Sequence, residues 1–543
     1  MVSRTFVLSD PVLHLPMLDT DVLYYIAVTA GDGQRIGEFY VGLTSGMPDF
    51  WCPLYLGGYK RQTVTLSTDD ADAPADLFSG IVQGGRIEDR SELYPGVYRE
   101  PTRQQVHFSS RRGWLNDPNG AVCVDGAFHM CYQHNPFGPY HGGVNVSWGL
   151  AVSPDGVHFR ESPDAIRPRD SLTHIASGSA IVDRNNVLGM GSSTILAVYT
   201  ALESRMFKGR QSVGTRGQML EYSTDGGYTF TPIAENPILS VPAGESWRDP
   251  KILSMDDGSL CIAVYETYEG EDCVSFYSSR DGRRWAFESR TRDLFECPDL
   301  FPIRSEDGET VWALYGAGGV VRFGKFKEYT FHENGDSHPL DYGSATYAGQ
   351  TFNCCPDAEG RYHIAWFRDP SQGWDYDPAR ANGIPFSQSM TLLCRFTLRR
   401  VQGTWRLLRN PLAAFSGLRQ GEGETFSLRG GEKAPLAVPS DCELVLDGAS
   451  PARLTVDGEG FAYDPASETL AFTSGKSCTR VSAGALRVRI VTDTHSVEFF
   501  VDGGIGATFA SLAPEKELVL EEGAADGVKW TLDSIWDAAT ERR

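Results

Sequence analysis

The chain has no stretch of 18 or more apolar residues, so nothing in it reads as a membrane-spanning helix. It also lacks a signal-peptide profile: the apolar residues of its first segment are interrupted by Asp10, Pro11, His14 and Pro16, and no small-residue cleavage site follows. No Cys-x-x-Cys pair and no Cys/His cluster has zinc spacing, so no metal is expected. The eleven cysteines are scattered through apolar stretches of a chain long enough not to need staples. The vicinal pair Cys354-Cys355 reads as two ordinary thiols and reduced cytosol as the setting. In that setting the sequon Asn145-Val146-Ser147 is a chance match. Basic residues are outnumbered, 49 against 71 acidic ones, for a formal net charge of −22. Such a field repels phosphate backbones and anionic lipid, which excludes nucleic acid and membrane surfaces as expected partners. A neutral substrate such as a sugar feels little of it.

Helical periodicity is scarce as well. What is present is a succession of short alternating runs, such as Leu260 to Tyr265 and Val311 to Tyr315, separated by Gly, Asp and Asn turns. With 41% hydrophobic residues the chain can bury real cores, and the fold class it predicts is all-β. A weak repeat organises the middle: Ser153-Pro-Asp-Gly-Val-His-Phe159, Ser223-Thr-Asp-Gly-Gly-Tyr-Thr-Phe230 and Ser279-Arg-Asp-Gly-Arg-Arg-Trp285. Each is a strand end, an Asp-Gly turn that tolerates positive φ, and an aromatic on the returning strand. The copies are spaced by roughly the length of a four-stranded propeller blade with insertions. Asp257-Gly258, Asp307-Gly308 and Glu359-Gly360 signal further hairpins. Residues 1–100 contain strands but no blade repeat and read as a separate β module. Residues 101–400 read as the propeller, and 401–543, again without the repeat, as a β-sandwich.

Three acidic motifs stand out. In Trp114-Leu-Asn-Asp117-Pro-Asn-Gly120, Pro118 biases Asp117 toward extended backbone and Asn119-Gly120 turns the chain, a way of presenting a carboxylate to a cavity. Trp247-Arg248-Asp249-Pro250-Lys251 again holds an Asp before a Pro, although taken alone a local Arg-Asp ion pair accounts for it better. Phe295-Glu296-Cys297-Pro298-Asp299 sets a glutamate among apolar neighbours, where desolvation raises a carboxyl pKa toward that of a general acid. A loop, an ion pair and a buried structural glutamate are the plain alternatives for the three.

Together these motifs resemble glycoside hydrolase family 32, the invertases, levanases and inulinases: W-[ML]-N-D-P-N-G, R-D-P and E-C occur in the family's order. Supporting segments are similar too: Tyr132-Gln133 through Pro136 to Y-Q-x-N-P, Trp148-Gly149 to W-G-H-A, Ser177 to Ala180 to S-G-S-A, Asp341 to Gly343 with Tyr347-Ala348 to D-Y-G…Y-A, and Ser496 to Val501 to the closing sandwich strand. The resemblance implies a five-bladed β-propeller with a C-terminal sandwich, no cofactor, and a fructose-containing oligosaccharide as substrate. It implies retaining chemistry with Asp117 as nucleophile, Glu296 as acid/base and Asp249 as stabiliser of the oxocarbenium-like transition state, with two carboxyls about 5–5.5 Å apart. Ionised Asp117 is then expected to raise the pKa of Glu296. Asn116, Gln133, Ser177 and Arg248 are expected to bind fructosyl hydroxyls, and Trp114 and Trp366 to wall the pocket.

The sequence departs from the family's W-G-N-M-H-W-G-H at His141 to Leu150: the first Trp aligns with Gly143, or with His141 if two residues are inserted. The aromatic before S-G-S-A is Ala176. Both losses fall on the pocket wall and imply a reshaped site suited to a disaccharide unlike sucrose, such as levanbiose, inulobiose or a difructose anhydride. Fructosyl transfer with the same acids is the alternative reaction, and a non-catalytic carbohydrate-binding protein the alternative of another class. Linkage, exo or endo action and oligomeric state stay open.

Overall fold

The computed structural model describes residues 1–537 except 86, 169, 204–206, 211–216, 242–245, 356–360 and 379–382. The Glu359-Gly360 turn lies outside the described residues. Among those described, helix is confined to three short 3-10 turns, and everything else of regular structure is strand. No helix among them is long and apolar enough to cross a membrane.

Two small sheets come first. One orders Val2–Val7, Thr63–Thr68, Tyr24–Ala30 and Arg35–Val41, the other Phe50–Tyr55, Val12–Met17 and Val82–Gln83. They enclose a core of their own around Leu13, Leu15, Ile26, Val28, Val64 and Leu66. Asn145 clamps this module to the rest of the protein. Its amide donates to Tyr40 O at 2.7 Å and accepts from Tyr40 N at 2.8 Å. The Asn145 side chain is buried and bonded at both ends.

Five antiparallel sheets follow as blades of the propeller. Their innermost strands are Gly113–Val124, Thr173–Val182, Trp247–Ser254, Asp299–Arg304 and Thr346–Thr351. Successive side chains of a strand point to opposite faces, and here they feed the two neighbouring interfaces. On the second blade Ala197 and Tyr199 pack toward the first blade while Leu196 and Val198 pack toward the third. Leu253 and Leu300 fill the interface of the third and fourth blades, and Phe301 and Phe396 that of the fourth and fifth. Leu115, Tyr132, Phe352 and Ile364 close the ring between the fifth and first. The three Ser-x-Asp-Gly repeats are the hairpins joining third to fourth strands of the first three blades. In each, the serine hydroxyl accepts a glycine N–H: Gly156 to Ser153, Gly227 to Ser223 and Gly282 to Ser279, at 2.8–2.9 Å. Asp257-Gly258 and Asp307-Gly308 are first-to-second strand hairpins of the third and fourth blades.

The chain reinforces the ring where its ends meet. Phe386–Ser387 leaves the fifth blade to pair in parallel with Gly113 and Trp114 of the first. Nearby, Cys123 and Cys355 form a disulfide with a Cα–Cα distance of 4.9 Å. This corrects the reading of Cys354-Cys355 as two ordinary thiols. Cys355 pairs with a residue 232 positions away, a partner that local spacing does not reveal.

The fifth blade ends at Pro411, and residues 424–531 supply two six-stranded sheets of a sandwich. Leu444, Leu454, Phe461, Val488 and Phe499 lie between them. Charged groups buried at the junction join sandwich to propeller. His107 sits between Asp493 and Glu498 at 2.8 and 3.0 Å, and Arg409 binds Asp341, the aspartate of the D-Y-G segment.

Candidate active site

Four of the five innermost strands share a local defect. The pairing register breaks between Leu115 and Pro118 in the first blade, Ile175 and Gly178 in the second, Arg248 and Lys251 in the third, and Tyr347 and Gln350 in the fifth. Bulges of this kind turn a strand and re-aim side chains, and they concentrate beside active sites. Asp117, Ser177, Asp249 and Ala348 occupy these breaks. In the fourth blade Glu296 and Cys297 immediately precede the innermost strand. Asp249, Glu296 and Cys297 all hold left-handed backbone, with φ of 63°, 49° and 40°. For non-glycine residues that conformation costs on the order of 1–3 kcal/mol each and persists where surrounding structure enforces it. Thr200 does so for Asp249: its hydroxyl accepts the Asp249 N–H at 2.9 Å and donates to Gln218 at 2.8 Å.

Blade geometry thus brings the three acids, far apart in sequence, around one point. Cys297 joins two of them, its N–H reaching Asp249 Oδ2 at 3.2 Å and its thiol reaching Asp117 Oδ2 at 3.6 Å. Ser177 Oγ donates to the same Asp117 oxygen at 2.8 Å. Arg248 donates from Nε and Nη2 to Glu296 Oε1 at 3.0 and 2.7 Å and lies 3.8 Å from Asp249. Its guanidinium rests on the Tyr265 ring, 4.5 Å from the centroid, which sets its direction. Tyr347 donates to Glu296 Oε2 at 2.6 Å. The sequence placed Tyr347 in a supporting segment without giving it this contact.

Loss of water and mutual repulsion govern the charges. Burial, followed by the nearby negative charge of Glu296, pushes Asp117 up to about 6, against hydrogen bonds from Ser177 and Asn116 that favour its ionised form. Burial pushes Asp249 up to about 7, with Glu296 and Asp117 adding to the effect and Arg248 opposing it. Glu296 is the acid in direct contact with the arginine.

The expected binding residues surround this centre. Asn116 accepts a bond from Trp114 Nε1 at 2.8 Å, and the Trp366 indole donates to Gln388 at 2.9 Å. Trp114 and Trp366 stand 6.1 Å apart, edge to face. Gln133 is buried, and its amide nitrogen has no hydrogen-bond partner among the described residues. A buried orphan donor calls for a partner, and a ligand oxygen is one way to supply it.

Known proteins give this constellation a lineage. Residues 107–411, more than half of the chain and the whole span from which the acids come, match the model of the glycosyl hydrolases family 32 N-terminal domain. A levanbiose-producing levanase of Bacillus subtilis is 29% identical over 338 residues, 58% of this chain and 62% of that protein. An extracellular exo-inulinase of Aspergillus awamori is 26% identical over 511 residues, 80% of this chain and 94% of that protein. Among solved structures, exo-inulinase from Aspergillus awamori superposes with a TM-score of 0.69 at 23% identity, covering 81% of this chain and all of the other. The β-fructofuranosidase of Schwanniomyces occidentalis superposes with a TM-score of 0.64 at 20% identity, covering 79% and 98%. With the propeller, the bulged inner strands and the three acidic motifs all falling within the matched residues, the chain belongs to glycosyl hydrolase family 32.

Proposed function

We propose that this protein is a retaining β-fructofuranosidase that hydrolyses terminal β-D-fructosyl linkages of fructo-oligosaccharides or fructobioses by double displacement. The observation that carries the reading is the meeting of Asp117, Asp249 and Glu296, from three different blades, around Cys297 and Arg248. Relatives named levanase, invertase and exo-inulinase support the substrate class.

In this reading Asp117 attacks the anomeric carbon of the fructosyl unit. The bond to the departing oxygen breaks as Glu296 gives that oxygen its proton, leaving a fructosyl ester on Asp117. Glu296 then takes a proton from water, whose oxygen attacks the same carbon and releases fructose. Asp249, beside both acids, binds ring hydroxyls and stabilises the positive charge that develops on the ring. Ser177 keeps one Asp117 oxygen engaged and the other directed for attack, while Arg248 and Tyr347 hold Glu296. Asn116 and Gln133 supply polar contacts to hydroxyls.

The test is product analysis on sucrose, levanbiose, inulobiose, levan and inulin with the wild type and Glu296→Gln. Free fructose is expected from at least one substrate. The variant should lose about 10²–10⁴-fold, the worth of general acid help. Near-full activity in Glu296→Gln removes that residue from the role.

A further inference from the structure

Neither tryptophan expected at the pocket wall presents much surface to solvent: Trp114 is 1% exposed and Trp366 6%. The open indole of this corner is Trp374, 45% exposed. It stands edge to face against Trp114 with ring centres 5.5 Å apart, and it stacks on His141 at 3.8 Å and 23°. Trp374 O accepts the His141 N–H at 2.9 Å. His141 opens the segment in which the family's first tryptophan has no counterpart, so an aromatic from a distant strap occupies the corner instead.

A single exposed hydrophobic residue is ordinary; an immobilised one beside a sugar site has a use. The described residues of the strap bearing Trp374 are held at several points. Asp369 binds His495 at 2.6 Å. Buried Gln388, in left-handed conformation, accepts the Asp369 N–H at 2.9 Å and donates to Gln372 O at 3.0 Å. Tyr376 donates to Asp19 O at 3.3 Å and packs edge-on to Tyr140, whose own hydroxyl donates to Thr20 O. Asp19 and Thr20 belong to the N-terminal module, for which the sequence offered no role.

We infer that Trp374 is the stacking platform for the sugar ring on the leaving-group side of the scissile bond, and that residues 1–100 serve catalysis by bracing it. The inference rests on the fructosidase reading above. The direction follows from the layering: Trp374 lies one aromatic ring outward from Trp114, which is itself bonded to Asn116 beside Asp117. A ring that touches Trp374 is therefore separated from Asp117 by Trp114 and Asn116. Aromatic faces bind the C–H faces of sugars, and a platform fixed in advance loses no rotamer freedom on binding.

The experiment compares kcat/KM on levanbiose, inulobiose and sucrose with that on methyl β-D-fructofuranoside, whose leaving group carries no ring. In Trp374→Ala the ratio of the best disaccharide to the methyl fructoside is expected to fall about tenfold, mainly through KM, and Trp374→Phe to restore most of it. Tyr140→Phe, which removes the bond to Thr20, should move the ratio the same way by less. An unchanged ratio in Trp374→Ala overturns the platform, whether activity is kept or lost equally on both substrate types. An unchanged ratio in Tyr140→Phe removes the N-terminal module from the bracing role. If the wild type cleaves none of the four compounds, the fructosidase reading fails first and this inference falls with it.

Discussion

Lys251 Nζ lies 2.6 Å from Asp299 Oδ1 at the centre of the propeller, both side chains essentially without solvent contact. Each stands a step beyond an active-site acid, Lys251 after Asp249-Pro250 and Asp299 after Glu296-Cys297-Pro298. The pair therefore ties the third blade to the fourth directly beneath the two acids. Lys251 also donates to Thr351 O at 2.9 Å, and Asp299 accepts from Tyr315 and from the Thr351 N–H, both at 2.6 Å. The fifth blade is thereby drawn into the same knot.

Removing one partner of a buried ion pair leaves the other charged and unsatisfied, at a cost of about 3–5 kcal/mol. Lys251→Met is expected to destabilise by that amount and to lower kcat as the bulge at Asp249 loosens. Urea denaturation with kcat and KM on the best substrate checks both. A variant as stable as wild type would show that Lys251 is not charged in the folded protein.

Ser177 acts on Asp117 through a single bond, from its hydroxyl to Asp117 Oδ2 at 2.8 Å. That bond favours the carboxylate and holds the Asp117 pKa below what burial alone would impose. In Ser177→Ala the pKa should rise further from about 6. The acid limb of kcat/KM then moves to higher pH, and activity at neutral pH falls by roughly tenfold, the worth of one hydrogen bond to a charged group. A pH–rate profile of wild type and variant decides it; a limb that stays in place assigns the acid limb to another group.

His107 makes a prediction about stability instead of rate. It is fully buried between Asp493 and Glu498, with Arg409 also facing Glu498. Although burial opposes the charge, the two carboxylates raise its pKa to about 9 from an ordinary 6.5. A folded-state pKa above the unfolded one stabilises fully below the unfolded value and is lost as pH rises through the folded value. Propeller–sandwich stability from this group is thus complete below about pH 6.5 and gone above about pH 9. Thermal unfolding followed across that window should show Tm falling in the wild type and a flatter profile in His107→Gln. Parallel profiles would mean that His107 is neutral in the folded state.

Much of the site could be read from the chain because its elements are local. An aspartate before a proline, a turn two residues on and a glutamate next to a cysteine each sit within a few residues, and two of the inner-strand bulges fall at the two Asp-Pro motifs. The propeller was legible in part through the Ser-x-Asp-Gly turns, since one hairpin geometry recurs in three blades. What escaped depends on distant pairings. Thr200 under the Asp249 backbone, Trp374 against His141 and Cys355 bonded to Cys123 carry no spacing signal, because each partner comes from another blade or loop. The direction of Arg248 escaped for the same reason, since Tyr265 on the neighbouring strand sets it.

Asn145 allows the clamp between the N-terminal module and the propeller to be separated from the strain it tolerates. Its φ is 62°, a conformation asparagine and glycine accept more readily than alanine. Its amide makes both bonds to the Tyr40 backbone. Asn145→Gly removes the bonds and keeps the backbone, while Asn145→Ala removes the bonds and adds the left-handed penalty of about 1 kcal/mol. Losing the amide leaves the buried Tyr40 N–H and C=O unpaired, a cost of about 1–3 kcal/mol in either variant. Stability should therefore rank wild type above Asn145→Gly and that above Asn145→Ala, measured by urea unfolding. The segment from His141 to Ser147 is anchored here, so KM for a disaccharide is expected to rise in the same order. If KM stays flat while stability falls, the clamp holds the fold together but does not shape the sugar-binding rim.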